Sequence, residues 1–128
     1  MDAKDLGAKN DAGKLRFDLI PVRSLEEVAG LYTMGAKKYA DRNWEKGLSW
    51  SRCFAAMMRH AWAFWRGETF DKEDGQHHMA SVAWYALAFI EYEYTHPELD
   101  DRPTISFTKE DIKGSFKLNP PQTNYDPE

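Results

Sequence analysis

The sequence predicts an all-α fold: a bundle of three helices, two amphipathic and the third central or buried in an oligomer. Three observations lead there. Three stretches carry apolar residues at the helical repeat, each bounded by a cap or a breaker. One of them, Met79 to Ile90, is apolar nearly all round, which puts its helix at the centre of the bundle or inside an oligomer. The chain has 128 residues, 42% apolar and 30% charged. That is enough for one domain with its own core, without disulfides or a structural metal.

The elements follow in chain order. Residues 1–23 are a polar lead-in with Gly7 and Gly13, ending in the apolar stretch Phe17-Asp18-Leu19-Ile20-Pro21. Ser24 reads as an N-cap, with Glu26 and Glu27 in the first turn and Glu27 at the capping-box position. The helix then runs from Leu25 to about Ala40. Leu25, Val28, Ala29, Tyr32, Gly35, Ala36 and Tyr39 share its inner face, and Glu27, Leu31, Met34 and Lys38 form an adjoining stripe. Residues 41–48 read as a loop. Ser49 or Ser51 caps a second helix, which runs to about Arg66 and stops at Gly67. Cys53, Met57, His60 and Phe64 lie on its apolar side; Arg52, Arg59 and Arg66 lie on its polar side. Residues 67–75 are acidic and turn-like. The third helix is expected from Glu73 or Gln76 to Tyr94, and Pro97 ends it. Five of the six prolines lie from Pro97 onward. The division expected is a helical domain over 1–96, lead-in included, and an extended tail or arm over 97–128 that packs on the body or on a partner subunit.

Charge and cysteine content exclude several classes. A net charge of -4 and a pI near 5.6 lack the footprint of a general DNA or RNA binder. They do not exclude one small anion in a local basic pocket. The single cysteine, Cys53, rules out a disulfide framework and a cysteine-based zinc site, and a reduced, cytoplasmic setting is expected. Residues 1–5 have no apolar core, so no secretory signal is expected. Met79 to Ile90 is shorter than the roughly 20 residues a membrane span needs. Aromatic residues reach 14%, with five Trp. Rings at that density fill a core, form an interface or stack on a flat ligand.

Several residues could carry chemistry. Glu68, Asp71, Glu73, Asp74, His77 and His78 form an acidic, imidazole-bearing segment before the third helix. Oxygen-rich sets of this kind suit magnesium or manganese. A helix that already included residue 73 would make Glu73 and His77, and Asp74 and His78, neighbours on one face. Against this, Asp71 or Asp74 could simply cap the helix. Glu27 either reaches into the bundle, or closes a capping box or a salt bridge to Lys38. His60 among Cys53, Met57 and Phe64 fits a core histidine better than a ligand, although a ligand role stays open. Lys14 and Arg16, and Lys37 and Lys38, are local basic pairs that could hold a polyphosphate; for the second pair, completing the helix dipole is the competing role. Tyr39 and Trp44 could stack on a base. Trp62, Trp65 and Trp84 suit core or interface packing. Walker A spacing, serine-nucleophile motifs and dinucleotide-binding motifs are absent.

Taken in order, the short motifs resemble a known family. They are Asp11, Gly13-Lys14, Arg16 and Asp18-Leu19-Ile20-Pro21; Leu25 with Glu27-Val28-Ala29; Gly35-Ala36-Lys37-Lys38-Tyr39; Asn43-Trp44 and Gly47; Arg59-His60; and Gly67-Glu68 with Asp71, Glu73, Gly75 and His78. The series, over about residues 9–92, resembles the phage and bacterial dATP/dGTP diphosphohydrolase N-terminal family, relatives of the MazG-like all-α nucleoside triphosphate pyrophosphatases. The resemblance implies hydrolysis of a purine deoxynucleoside triphosphate, dGTP or dATP, to monophosphate and pyrophosphate. It implies magnesium or manganese held by carboxylates on neighbouring helices, with a water activated for attack on the α-phosphorus, and it implies dimers or tetramers. The setting implied is the cytoplasm, that of the host if the chain is phage-encoded, with no nucleic-acid polymer or membrane as partner.

On that resemblance, Glu27, Glu73 and His60 are the expected catalytic residues, and Glu27, Asp71, Glu73 and His78 the expected metal ligands. Lys14, Arg16, Lys37, Lys38 and Arg59 are expected on the triphosphate, and Asn43 and Trp44 on the sugar or base. The chain also departs from the superfamily signature, Glu-Glu-x-x-Glu followed by Glu-x-x-Asp. Gly30 stands where the third Glu would be, Glu68 and Asp71 fall in a turn, and Ser81 replaces a second histidine common in the closer family. His60 and His78 either complete the site or organise it from behind. Two other classes stay open. A non-enzymatic nucleotide-sensing or helical oligomerisation module would bind without metal-dependent turnover. A His-Asp phosphohydrolase would release tripolyphosphate, but no His here is followed directly by Asp.

Overall fold

The structure is a computed structural model that describes residues 6–107 and 109–111. The expectation of no signal in residues 1–5, and that part of the tail beyond 111, lie outside those residues. The chain divides into two compact units, one of Met1–Ile20 with Ser106–Glu128, the other Pro21–Ile105. In the first, a turn closes as the Lys14 N–H donates to the Asp11 carbonyl at 3.1 Å. A 3-10 turn follows at Phe17–Leu19, and Arg16 holds Asp18 through two bonds of 2.8 and 2.7 Å.

The second unit is an all-α bundle of three helices: α1 Val22–Lys38, α2 Trp50–Trp65 and α3 His78–Thr95. α3 packs along both α2 and α1, the place its all-round apolarity demands. Trp50 and Cys53 of α2 meet Ala88 and Tyr92 of α3 in the core, with Trp44, Leu48, Trp84, Tyr85, Phe89 and Leu99 packed around them. Ala63, Ala80 and Ala88 are also buried. Small side chains at this seam let the two helices approach closely. Burial pushes the Cys53 thiol pKa up, so this cysteine acts as a packing group.

The ends of the helices differ from the sequence expectation for local reasons. α1 begins three residues early, after Pro21, and Ser24 lies inside its first turn. Pro21 is extended, and its carbonyl accepts the Leu25 N–H, so no capping box forms at Ser24 and Glu27. Ser49 is the cap position of α2 but offers no side-chain bond. That bond comes from Asp101, whose carboxylate accepts the Ser51 N–H at 2.8 Å and the Ser51 hydroxyl at 2.5 Å. A carboxylate at a helix N-terminus also complements the helix dipole. α3 starts at His78, not at residue 73 or 76, so the two proposed helical carboxylate–histidine pairs do not form. Asp71 and Asp74 instead accept the N–H groups of Glu73 and Gln76, at 2.8 and 2.9 Å, and hold turns that compete with helix.

The connection from α1 to α2 is pinned from several sides. Arg42 has φ 59, the one positive value for a non-glycine residue among the described residues, and it opens a 3-10 turn at Asn43–Lys46. The Trp44 carbonyl in that turn accepts a 2.5 Å bond from the hydroxyl of fully buried Tyr92, whose pKa burial pushes up to about 12. Residues after α3 fold back on the same connection. His96 Nε2 meets the Glu45 carbonyl at 2.7 Å, and its Nδ1 meets Glu98 at 2.8 Å. Arg102 lies over the Trp50 ring at 5.0 Å. Gly47 has φ 97, and a Cβ there would stand 2.6 Å from Leu99 and 3.0 Å from the His96 ring.

Two outcomes follow from this clasp. Gly47→Ala forces a side chain into a backbone region suited to glycine and against Leu99, and is expected to cost about 2 kcal/mol in chemical denaturation. His96 bonds two acceptors, which its protonated form satisfies with both ring N–H groups. Glu98 first, then the Glu45 carbonyl, raise its pKa. Its contribution is therefore complete below the unfolded histidine value of about 6.5 and is lost as pH rises through the raised folded value. Denaturation midpoints measured across that window should fall with pH in the wild type and fall less in His96→Gln.

Candidate metal centre and adjoining cavity

The turn after α2 sets the site. At the end of α2 the Gly67 N–H donates to Phe64 and the Glu68 N–H to Ala63, at 2.9 and 3.0 Å, and Gly67 adopts φ 105. This is a helix stop that suits glycine. The chain then doubles back. Asp71 N–H donates to the Gln76 carbonyl at 2.8 Å, Gly75 N–H to Asp71 at 2.7 Å and His78 N–H to Thr69 at 3.0 Å. The result sets His78, first residue of α3, against His60 on α2.

Their Nδ1 atoms lie 2.9 Å apart. On the far side of the His78 ring, Nε2 meets Glu68 Oε2 at 2.6 Å. Asp71 Oδ2 is 3.7 Å from His60 Nδ1, while its other oxygen holds the Glu73 N–H. One ligand atom from each of His60, Asp71 and His78 lies within 4.8 Å of the others. His78 is buried, and the other three side chains are half-buried. A carboxylate at Nε2 places the proton there and leaves His78 Nδ1 a lone pair; His60 then donates from its own Nδ1. Burial, and then the neighbouring His78, lower the His60 pKa, which favours a neutral ring with a lone pair to give. The bond to His78 keeps the Glu68 pKa low, so this carboxylate stays charged.

The donor set fits a divalent ion. Adjacent donors around an octahedral ion with bonds of about 2.1 Å sit about 3 Å apart, close to the Nδ1–Nδ1 spacing. The carboxylate behind His78 is the partner that a metal-bound histidine uses to fix its ring.

His60 also lines a cavity of about 780 Å³ between α1, the α1–α2 connection and α3, a volume in the range of small-molecule sites. Ser81, one turn beyond His78, lines it beside Tyr85 and Asp74. Lys38, Asn43, Trp44, Tyr32 and Trp84 line the rest. The Tyr32 ring meets Trp44 edge-on at 6.0 Å and Trp84 at 5.6 Å.

Of the residues singled out in the sequence, the structure brings His60, Asp71 and His78 together, and it brings Lys38, Asn43 and Trp44 to one cavity with His60. Glu27 and Glu73 are exposed; Glu27 lies a turn before Gly30, and a Cβ at Gly30 would stand 3.7 Å from the Gln76 amide oxygen. Lys37 and Arg59 are exposed and do not line the cavity. Lys14 and Arg16 lie in the first compact unit. His77 caps α3 through Nδ1 and contacts the Phe64 and Phe70 rings. Sequence reasoning missed Glu68 as the His78 partner, and Tyr32, Ser81, Trp84 and Tyr85 as cavity walls. The forced stop at Gly67 was the available signal for Glu68, and helical spacing from His78 the signal for Ser81.

The chain matches the family "dATP/dGTP diphosphohydrolase, N-terminal" over residues 4–102. It is similar to a dATP/dGTP diphosphohydrolase of Salmonella phage PMBT28, 35% identical over 96 residues. That alignment covers 75% of this chain and 33% of the relative, so the match spans about a third of the relative's length. No solved structure matches. The ordered motifs, the helical body that carries them and the match over residues 4–102 agree: the chain belongs to the dATP/dGTP diphosphohydrolase N-terminal family.

Proposed function

We propose that this protein is a metal-dependent nucleotide pyrophosphohydrolase that converts a purine deoxynucleoside triphosphate, dGTP or dATP, to monophosphate and pyrophosphate. The observation that carries the reading is the convergence of His60, Asp71 and His78 beside an aromatic-lined cavity of nucleotide size. The family and the phage relative's name supply the substrate class.

In this reading His60, Asp71 and His78 hold magnesium or manganese. When bound, the ion supplies neutralisation of phosphate charge and easier ionisation of water. The chain does the positioning. Lys38, its ammonium 5.3 Å over the Tyr39 ring, brings a cation to the cavity wall for the phosphates. Trp44 and Tyr32 offer ring faces to the base, and the Asn43 amide offers a donor and an acceptor to the sugar or base edge. Glu27 and Glu73 are assigned as the acid–base carboxylates; Glu73 follows Asp71 in a turn closed by its own N–H. Lys37 and Arg59, exposed on α1 and α2, are assigned to outer phosphate contacts.

A second copy of the chain is assigned to cover the outer faces of α2 and α3. Trp62 and Trp65 are 56% and 81% exposed, and Phe54, Leu87 and Ile90 are exposed as well. Large apolar side chains repeated along two helices mark an interface. No helix among the described residues is long and apolar enough to cross a membrane. The reaction belongs in the cytoplasm with the nucleotide pool, and no polynucleotide or membrane partner is expected.

The direct test is incubation with each common NTP and dNTP, with manganese, with magnesium and with EDTA, and identification of products. Monophosphate plus pyrophosphate from a purine dNTP, lost with EDTA, is expected. Tripolyphosphate, or binding without turnover, would overturn the reading. His60→Ala, which removes a holder of the ion, is expected to lower activity about a hundredfold or more. Glu73→Gln should abolish turnover with an unchanged helical circular dichroism signal; retained turnover removes Glu73 from the reaction. For the assembly, light scattering after size exclusion should show a dimer or tetramer for the wild type and a smaller species for Trp62→Glu. A monomeric wild type would refute the interface.

A further inference from the structure

We infer that the His60–Asp71–His78 centre selects a first-row transition ion over magnesium, and that Glu68 is the positioning residue behind that choice. The inference builds on the cluster as an ion site and not on the reaction assigned to it.

The donor count argues first. Two of the three convergent atoms are imidazole nitrogens, and the third is one carboxylate oxygen. Magnesium takes oxygen ligands and holds its waters, so a site for it uses carboxylates and solvent. Imidazole nitrogen suits iron, nickel, copper and zinc, and affinity along the first-row divalent series rises from manganese through iron, cobalt and nickel to copper. The burial argues next. His78 is 4% exposed, so its nitrogen is not readily replaced by water from bulk solvent. On α1, the position where an acidic signature would place its third Glu is Gly30, with the Gln76 amide beside it.

Glu68 makes the nitrogen pair usable. Its Oε2 lies 2.6 Å from His78 Nε2, which holds the proton on that nitrogen and aims the Nδ1 lone pair at His60. A charged acceptor behind an imidazole also makes the ring a better electron donor. Lys72, 3.5 Å from Glu68 Oε1, occupies the other oxygen and leaves Oε2 to the histidine. Without an ion, His60 donates its Nδ1 proton to His78. To hold an ion with both Nδ1 atoms, His60 would have to carry its proton on Nε2 instead, a change of tautomer with no change of charge.

Cobalt(II) is the probe, because its visible bands report nitrogen coordination without any nucleotide. The wild-type protein is titrated with cobalt(II), alone and with magnesium in thousandfold excess. Saturable bands that persist in magnesium are expected. His78→Ala should lose them. Glu68→Ala should weaken cobalt affinity about 10–100-fold, and Glu68→Gln, which keeps an acceptor without the charge, should fall between. Circular dichroism on each variant separates loss of the site from loss of the fold, and Glu68→Gln carries the test if Glu68→Ala does not fold. Displacement of cobalt by magnesium at comparable concentration would overturn the selectivity. Wild-type affinity in both Glu68 variants would overturn the positioning role. A wild type that binds no cobalt would overturn the centre itself. Selective cobalt binding without nucleotide turnover would support this inference and defeat the proposed reaction; turnover with magnesium at an unselective site would do the reverse.

Discussion

α3 has almost no polar side to turn toward water, so it occupies the middle of the body, and the other elements are placed by what they touch on it. α2 lies along one flank through Trp50, Cys53 and the small residues of the seam. α1 lies along another more shallowly; Val28 is its one buried residue, and much of its inner face looks into the cavity. Along the cavity wall the Tyr32 ring of α1 meets Trp44 of the connection and Trp84 of α3.

Two polar ties fix α3 along its length. At its start, His78 sits between His60 and Glu68. Near its end, the Tyr92 hydroxyl holds the Trp44 carbonyl. A buried hydrogen bond is worth more as a constraint than as net stability, since leaving either partner unpaired costs its full desolvation. The first tie aligns the nitrogen pair, and the second fixes the turn that carries Asn43 and Trp44. The His60–Asp71–His78 cluster and the ring-lined wall are thus registered to one helix. The segment after α3 adds a brace from outside: Asp101 caps α2, and His96 holds the α1–α2 connection.

The acidic segment shows how local and tertiary preferences divide. Composition marked Glu68 to His78 as chemically dense. Helical spacing suggested that carboxylates and histidines would pair along one helix. The short side chains of Asp71 and Asp74 bond their own following N–H groups, a geometry that turns satisfy better than helix. The histidine that meets His78 comes from a different helix, 18 residues earlier. No spacing rule within one element could have paired them.

The sequence by itself determined the three helices to within a few residues, the central place of α3 and the inward side of α2, because each follows from apolar periodicity and nearby breakers. It also carried the family, through the order of short motifs along the chain. Tertiary structure alone decided that Asp101, and not a serine beside the helix, caps α2, that Glu68 backs His78, and that Lys38, Asn43 and Trp44 share a cavity with His60. These depend on distances between atoms far apart in the chain. Such distances are set by how side-chain volumes pack between helices, which periodicity along one strand of sequence does not encode.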